Sequence, residues 1–286
     1  MISDVRAKLL GKLRLAVLGF MGGSVSLTAG ACVELNTQIS QGSFVWATLT
    51  PGSSATLDGE ALDVMADGTV FFGFGRDAGA NADLVVRDAS GKECKQALKI
   101  NRRDYKTQRV EGVPAKTVNP PAEQLARIRR EGALVATARS ESLPRADLVA
   151  AALTGFVWPV EGPISGVYGS QRYYNGAPGR PHFGVDVAVP KGTAVRAPAA
   201  GVVTLAEPEL FYSGGTIILD HGYKLSSTFL HLSKVLVKAG QELEVGDIIG
   251  EVGATGRATG PHLDWRMNWR DRRIDPQLLV PPMPKP

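Results

Sequence analysis

In the run HLDWRMNW, residues 262–269, polar and apolar positions alternate without a break. An extended strand puts His262, Asp264, Arg266 and Asn268 on one face and Leu263, Trp265, Met267 and Trp269 on the other. This pattern predicts a strand with one face in a core and the other lined with polar groups. Shorter runs of the same kind occupy both ends of the chain. GSFVWATL, VFFGFG and DLVVRD are separated by the turn signals Asp58-Gly59, Asp67-Gly68 and Ser90-Gly91, and they predict a small β-sandwich over residues 32–105. TAVRAPAAGVVTLA, GGTIILDHG, LSSTFLHLS and GDIIGEVG predict a second β-rich domain over 151–286, with HGYK as a hairpin turn and the Pro-rich end as surface coil. Between them, residues 106–150 read as a spacer or hinge. VPAKTVNPP is extended, and AEQLARIRREGALVATARS is helical, with Leu125, Ile128 and Val135 on one side and its arginines on a solvated face. The expected fold class is mainly β, with an N-terminal β-sandwich, a helical linker and a C-terminal antiparallel β-domain.

Residues 1–31 follow another pattern. A basic stretch, MISDVRAKLLGKLR, precedes the uncharged LAVLGFMGGSVSLTAGA and ends in Ala29-Gly30-Ala31. That order reads as a secretory signal, the other reading being a buried N-terminal helix. It implies an exported protein of the periplasm or cell envelope. The chain has 286 residues, which suits two domains, and a net charge of +4 with scattered basic residues. An anionic envelope partner fits this charge, and no motif points to nucleic acid. The two cysteines are Cys32 and Cys94. A disulfide between them in an oxidising compartment is the preferred reading. The alternative is a lipoprotein anchored to the membrane through Cys32, although Ala29 stands where such a signal usually has leucine.

Several chemistries are excluded by what the motifs lack. GFGRDA matches a dinucleotide-binding loop only loosely, and a turn and strand follow it where a helix is required. There is no H-E-x-x-H, no G-x-S-x-G and no P-loop lysine. All four histidines fall in residues 151–286. In PHFGVDVAV, His182 and Asp186 would lie about 13 Å apart on a straight strand, and a bend at Gly184 would bring both to one centre. The competing reading is a surface histidine and a solvated aspartate. His262 and Asp264, about 7 Å apart on one face, suit a shared metal or a cross-sheet hydrogen bond. His231 is placed on a strand face with Phe229, as a base or a packed side chain. His221, in the turn, reads as structural.

Taken together, HFGVD, FLHLS and GATGRATGPHLDW, supported by ISGVYGSQR, GTAVRAPAAGVV and GGTIILDHG, resemble the lysostaphin-type, LytM-like zinc endopeptidases over roughly residues 156–280. The resemblance implies an antiparallel β-domain with a groove, one Zn2+ per chain (Mn2+ as the second choice), and cleavage of peptide cross-links or stems of peptidoglycan. His182 and Asp186 match two metal ligands, and His231 and His262 match the catalytic histidines. Asp264 stands where the family usually has its third, histidine ligand. The added negative charge implies a weaker Lewis acid. Tyr168 and Arg172 are candidates to line the groove. Arg266 is a candidate to hold a stem carboxylate or to pair with Asp264. The alternative function is a catalytically degenerate peptidoglycan-binding protein or an activator of another hydrolase, and the N-terminal domain could supply a surface for a protein partner.

Overall fold

The computed structural model describes residues 32–113 and 120–284, so the signal segment and part of the extended linker lie outside the described residues. Six strands come first: β1 (Phe44–Thr48), β2 (Ser54–Leu57), β3 (Glu60–Ala61), β4 (Thr69–Gly73), β5 (Asn81–Arg87) and β6 (Glu93–Lys99). β1 pairs with β4, and β3-β2-β5-β6 form a second antiparallel sheet. Alternate residues of β5, namely Ala82, Leu84 and Val86, are buried, as the period-two pattern requires. A disulfide joins Cys32 to Cys94 of β6 across 62 residues. The Cys32 sulfur is therefore committed, and anchoring through a lipid on that atom is set aside.

Next come β7 (Thr107–Val110) and two helices, α1 (Ala122–Ser140) and α2 (Ala146–Leu153). Glu123 in the first turn of α1 and Arg139 in its last complement the helix dipole. The buried stripe of α1 is narrower than predicted. Ala138 and Val135 pack on Leu205, Leu210 and Ile218, while Leu125 is exposed. Arg139 also departs from the solvated face expected of the helix, as it is turned into the protein. α2 is absent from the sequence reading, which placed a boundary inside it. Its eight residues are too few to show a period, and Leu148, Val149 and Ala152 are buried by tertiary packing.

The remaining strands are β8 (Ile164–Gly166), β9 (Gln171–Tyr174), β10 (Ala177–Pro178), β11 (Val185–Val187), β12 (Ala194–Arg196), β13 (Gly201–Leu210), β14 (Gly214–Asp220), β15 (Leu225–Leu232), β16 (Lys234–Val235), β17 (Glu242–Leu243), β18 (Ile248–Glu251), β19 (Leu263–Trp269) and β20 (Arg272–Ile274). The main sheet runs β17-β13-β14-β15-β19-β11-β8, with β20 on β19, and β12-β18-β16 form a smaller sheet. Leu263, Trp265, Met267 and Trp269 are fully buried on one face of β19, as the alternation predicts. A side chain of this size contributes about 1.5–3 kcal/mol when removed from water. One continuous core runs from these residues through Ile274 to Phe44 and Phe71 of the N-terminal strands. The described residues from 32 on form one compact unit, and α1 packs on the C-terminal sheet. β7, read as linker, instead pairs in parallel with β9 and joins the C-terminal part.

Candidate metal centre and catalytic cleft

β11 and β19 are antiparallel neighbours, and their register sets Asp186 directly opposite Asp264. Val185 and Val187, on the other face of β11, are fully buried and fix the direction of Asp186. His182 precedes β11 on a bent segment that passes Gly184. This glycine keeps its backbone out of the left-handed region, so its role is not conformational freedom. A Cβ there would lie 2.5 Å from the Trp265 carbonyl oxygen and 2.6 Å from Asp264 Oδ1. Only glycine lets the two chains approach this closely. Gly166 on β8 does the same for Asp186, where a Cβ would overlap the carboxylate.

His182, Asp186 and Asp264 are all buried, and ligand atoms from the three lie within 4.8 Å of one another. Nε2 of His182 is 3.0 Å from Asp186 Oδ1, and neither atom has a further hydrogen-bond partner. Nδ1 of His182 is unpartnered as well, and lies 4.0 Å from Asp264 Oδ2. Buried carboxylate and imidazole atoms that converge while hydrogen-bond capacity stays unfilled fit a cation held among them. The donor set of one imidazole and two carboxylates suits a divalent metal such as zinc.

Two arginines stand behind the carboxylates. Arg266 binds Asp264 with both arms, Nε to Oδ1 at 2.9 Å and Nη2 to Oδ2 at 2.6 Å. Arg172 donates to Asp186 Oδ2, and its Nε donates to Gln108 of β7 at 3.0 Å. Burial works against ionising Asp264, and Arg266 together with His182 holds the carboxyl below its usual range. Burial also works against the charge on Arg266, and Asp264 reverses that effect.

The ring of His231 lies 4.9 Å from that of His262. His231 has a φ of 65°, which ends the regular alternation of β15. Phe229 stays in the core, while His231 faces the cleft with Asp186, Arg172 and His262, so the two do not share a face. Nδ1 of His231 donates to the Thr255 carbonyl at 2.8 Å, and Nδ1 of His262 to the Gly260 carbonyl at 2.9 Å. These bonds fix a tautomer that leaves each Nε2 with a lone pair. Burial pushes His231 down to about 4. The cleft that holds these groups measures about 250 Å³ and is bordered by β7, β9 and residues 257–262.

Tyr168 is a correction. It is buried, its hydroxyl donates to the Arg273 carbonyl at 2.7 Å, and its ring packs edge-on against Tyr105. It therefore does not line the groove. His221 is structural, and lies inside the protein despite its place beside the hairpin turn. Its Nδ1 donates to the Ala200 carbonyl at 2.7 Å, and its Nε2 is 2.8 Å from Ser227 Oγ. Gln108 and Tyr174 border the cleft and were not anticipated, because only the pairing of β7 with β9 brings the linker there.

An antiparallel β-groove with a buried His/Asp/Asp cluster beside two histidines is the arrangement of a metallopeptidase. Residues 180–276 match the profile of Peptidase family M23. A crystal structure from Pseudomonas aeruginosa, described as a peptidase M23, is 31% identical, covers 85% of this chain and 96% of that one, and superposes with a TM-score of 0.65. This chain belongs to peptidase family M23. Among curated relatives, the peptidoglycan DD-endopeptidase ShyA of Vibrio cholerae is 41% identical over 103 residues, 36% of this chain and 24% of that protein. The DD-carboxypeptidase/endopeptidase Mpg of Neisseria meningitidis is 36% identical over 106 residues, 37% of this chain and 24% of that protein. The chain thus spans about a quarter of the length of these curated relatives.

Proposed function

We propose that this protein is a zinc-dependent endopeptidase that cleaves peptide cross-links or stems of bacterial peptidoglycan. The observation that carries this reading is the buried convergence of His182, Asp186 and Asp264, whose ligand atoms lie within 4.8 Å of one another, beside His231 and His262. The family membership and the names of the curated relatives support it. His182, Asp186 and Asp264 would hold the ion, which supplies Lewis acidity to the scissile carbonyl and its attacking water. Either histidine can accept a proton on Nε2, and the ring that gains it becomes a donor toward the developing oxyanion. Burial keeps His231 neutral at pH 7, ready to act as the acceptor.

Asp264 need not weaken the centre. The two-armed pair with Arg266 offsets its charge, so the ligand set carries nearly the charge of one with a histidine in that position. Arg172 at the cleft wall is the candidate for contact with the peptide. We take residues 32–105 and 151–286 as the two β-parts of the chain, joined by residues 106–150 of which β7 pairs with the second part, and the periplasm or envelope as its location. The Cys32–Cys94 bond supports an oxidising compartment. Two measurements on purified protein test the reading, elemental analysis and release of soluble fragments from sacculi. One zinc per chain is expected, with release reduced at least a hundredfold in His231→Ala, the scale of a lost acid–base group. Sacculus binding without cleavage by a zinc-loaded protein would reject it.

A further inference from the structure

The face of β19 that carries Asp264 and Arg266 continues to Asn268, which borders a second and larger cavity of about 810 Å³. Arg139 reaches it from the last turn of α1, Arg273 from β20, and Lys224 from the turn between β14 and β15. Hydrogen bonds through neutral groups connect the two arginines. Arg139 Nη2 lies 3.4 Å from Thr228 Oγ1, Asn268 Nδ2 lies 3.4 Å from the same oxygen, and Arg273 Nη1 donates to Asn268 Oδ1. Among the described residues, no carboxylate pairs with either guanidinium. Nε of Arg139 is buried with no partner.

The acids of the same cavity are engaged elsewhere. Glu60 and Asp63 both pair with Arg270, and Glu60 also with Arg272. Asp271 is almost fully exposed and lies 3.9 Å from Arg272. Burial, with the charges of Arg273 and Arg266, pushes Arg139 down to about 9, and burial with Arg266 and Arg180 pushes Arg273 down to about 10. The end of α1 offers Arg139 a fraction of a negative charge, against two whole positive charges nearby. Like charges held together beside an open cavity, with a donor unmade, are destabilising unless an anion joins them.

We propose that this cavity is a binding site for an oxyanion, a carboxylate or phosphate group of a larger ligand, held by Arg139 and Arg273 with Lys224 at the wall. Guanidinium forks suit both groups, and the volume exceeds what a single ion needs. The site is separate from the metal-side cleft, since Asn268 stands about 13 Å along the strand from Asp264.

Thermal melting of the full chain tests this with three probes: inorganic phosphate, a soluble disaccharide-tetrapeptide that carries carboxylates and no phosphate, and sodium chloride at matched ionic strength. A rise of roughly 5 °C at a hundredfold excess over the dissociation constant is expected with at least one of the first two. The probe that acts identifies the anionic group. Arg139→Gln and Arg273→Gln should each weaken the response about tenfold, and Arg139→Gln without anion should melt no lower than the wild type, because repulsion has been removed. No response to either anion, an equal rise with sodium chloride, or full retention of the response in both variants would overturn the proposal.

Discussion

At Gly184 a single added methyl group would have to occupy space already filled by the Trp265 carbonyl, Arg266 Cγ and Asp264 Oδ1. Gly184→Ala should therefore push β11 away from β19, with a cost of about 1–3 kcal/mol. The expected outcome is a lower melting temperature together with lost metal, read by calorimetry and elemental analysis; an unchanged metal content would show that the strands can move apart without loss of the site. His221 permits a pH prediction. Burial pushes it down to about 4 from 6.5. Its contribution to stability is complete above pH 6.5 and is lost as the pH falls toward 4, by up to about 3 kcal/mol. Asp220 acts in the opposite direction. Burial pushes it up to about 6 from 3.8, so its contribution is present below 3.8 and lost as the pH rises through 6. The two offset each other in the intact protein. Urea titrations of wild type and His221→Gln should show their stability difference narrowing as the pH is lowered from 7 to 4, and a difference independent of pH would contradict the assignment.

Among the elements, strand β19 and helix α1 were the most legible. Both are long enough for their period to be unambiguous, and α1 covers the same residues as the predicted helical run, Ala122–Ser140. α2, with eight residues, and β7, with four, carry no period of their own and form because distant residues pair with or cover them. β15 was legible as a strand but not at its end, where the left-handed backbone of His231 turns the ring from the core toward the cleft. At this scale the disulfide makes a clear prediction. It ties the segment before β1 to β6 across 62 residues, which constrains the unfolded chain by about 4 kcal/mol. Cys94→Ser should lower the urea midpoint accordingly, and the same shift should follow reduction of the wild type; a variant equal to the oxidised protein would show that the closed loop contributes nothing.

In the whole molecule, the N-terminal strands and the M23 part share one core, reinforced by a charge pair. Arg103 Nη1 reaches Asp275 Oδ2 at 2.7 Å, and the Asp275 side chain is 1% exposed. Calorimetry should therefore show a single unfolding transition for residues 32–286. Arg103→Met should lower stability by about 2 kcal/mol, less than for a fully buried pair because Arg103 is partly in water. Two separated transitions would contradict the shared core. No helix among the described residues is long and apolar enough to cross a membrane. The side-chain alternation of β19, the extent of α1, and the histidines and aspartates that are candidates for a metal are all legible along the chain, because each is written within a few neighbouring residues. Tertiary structure alone decided that Asp186 faces Asp264, that Arg266 is paired while Tyr168 is buried, and that Arg139 and Arg273 meet over a cavity. Those outcomes depend on strand register and burial between segments far apart in the chain, where local pattern carries no information.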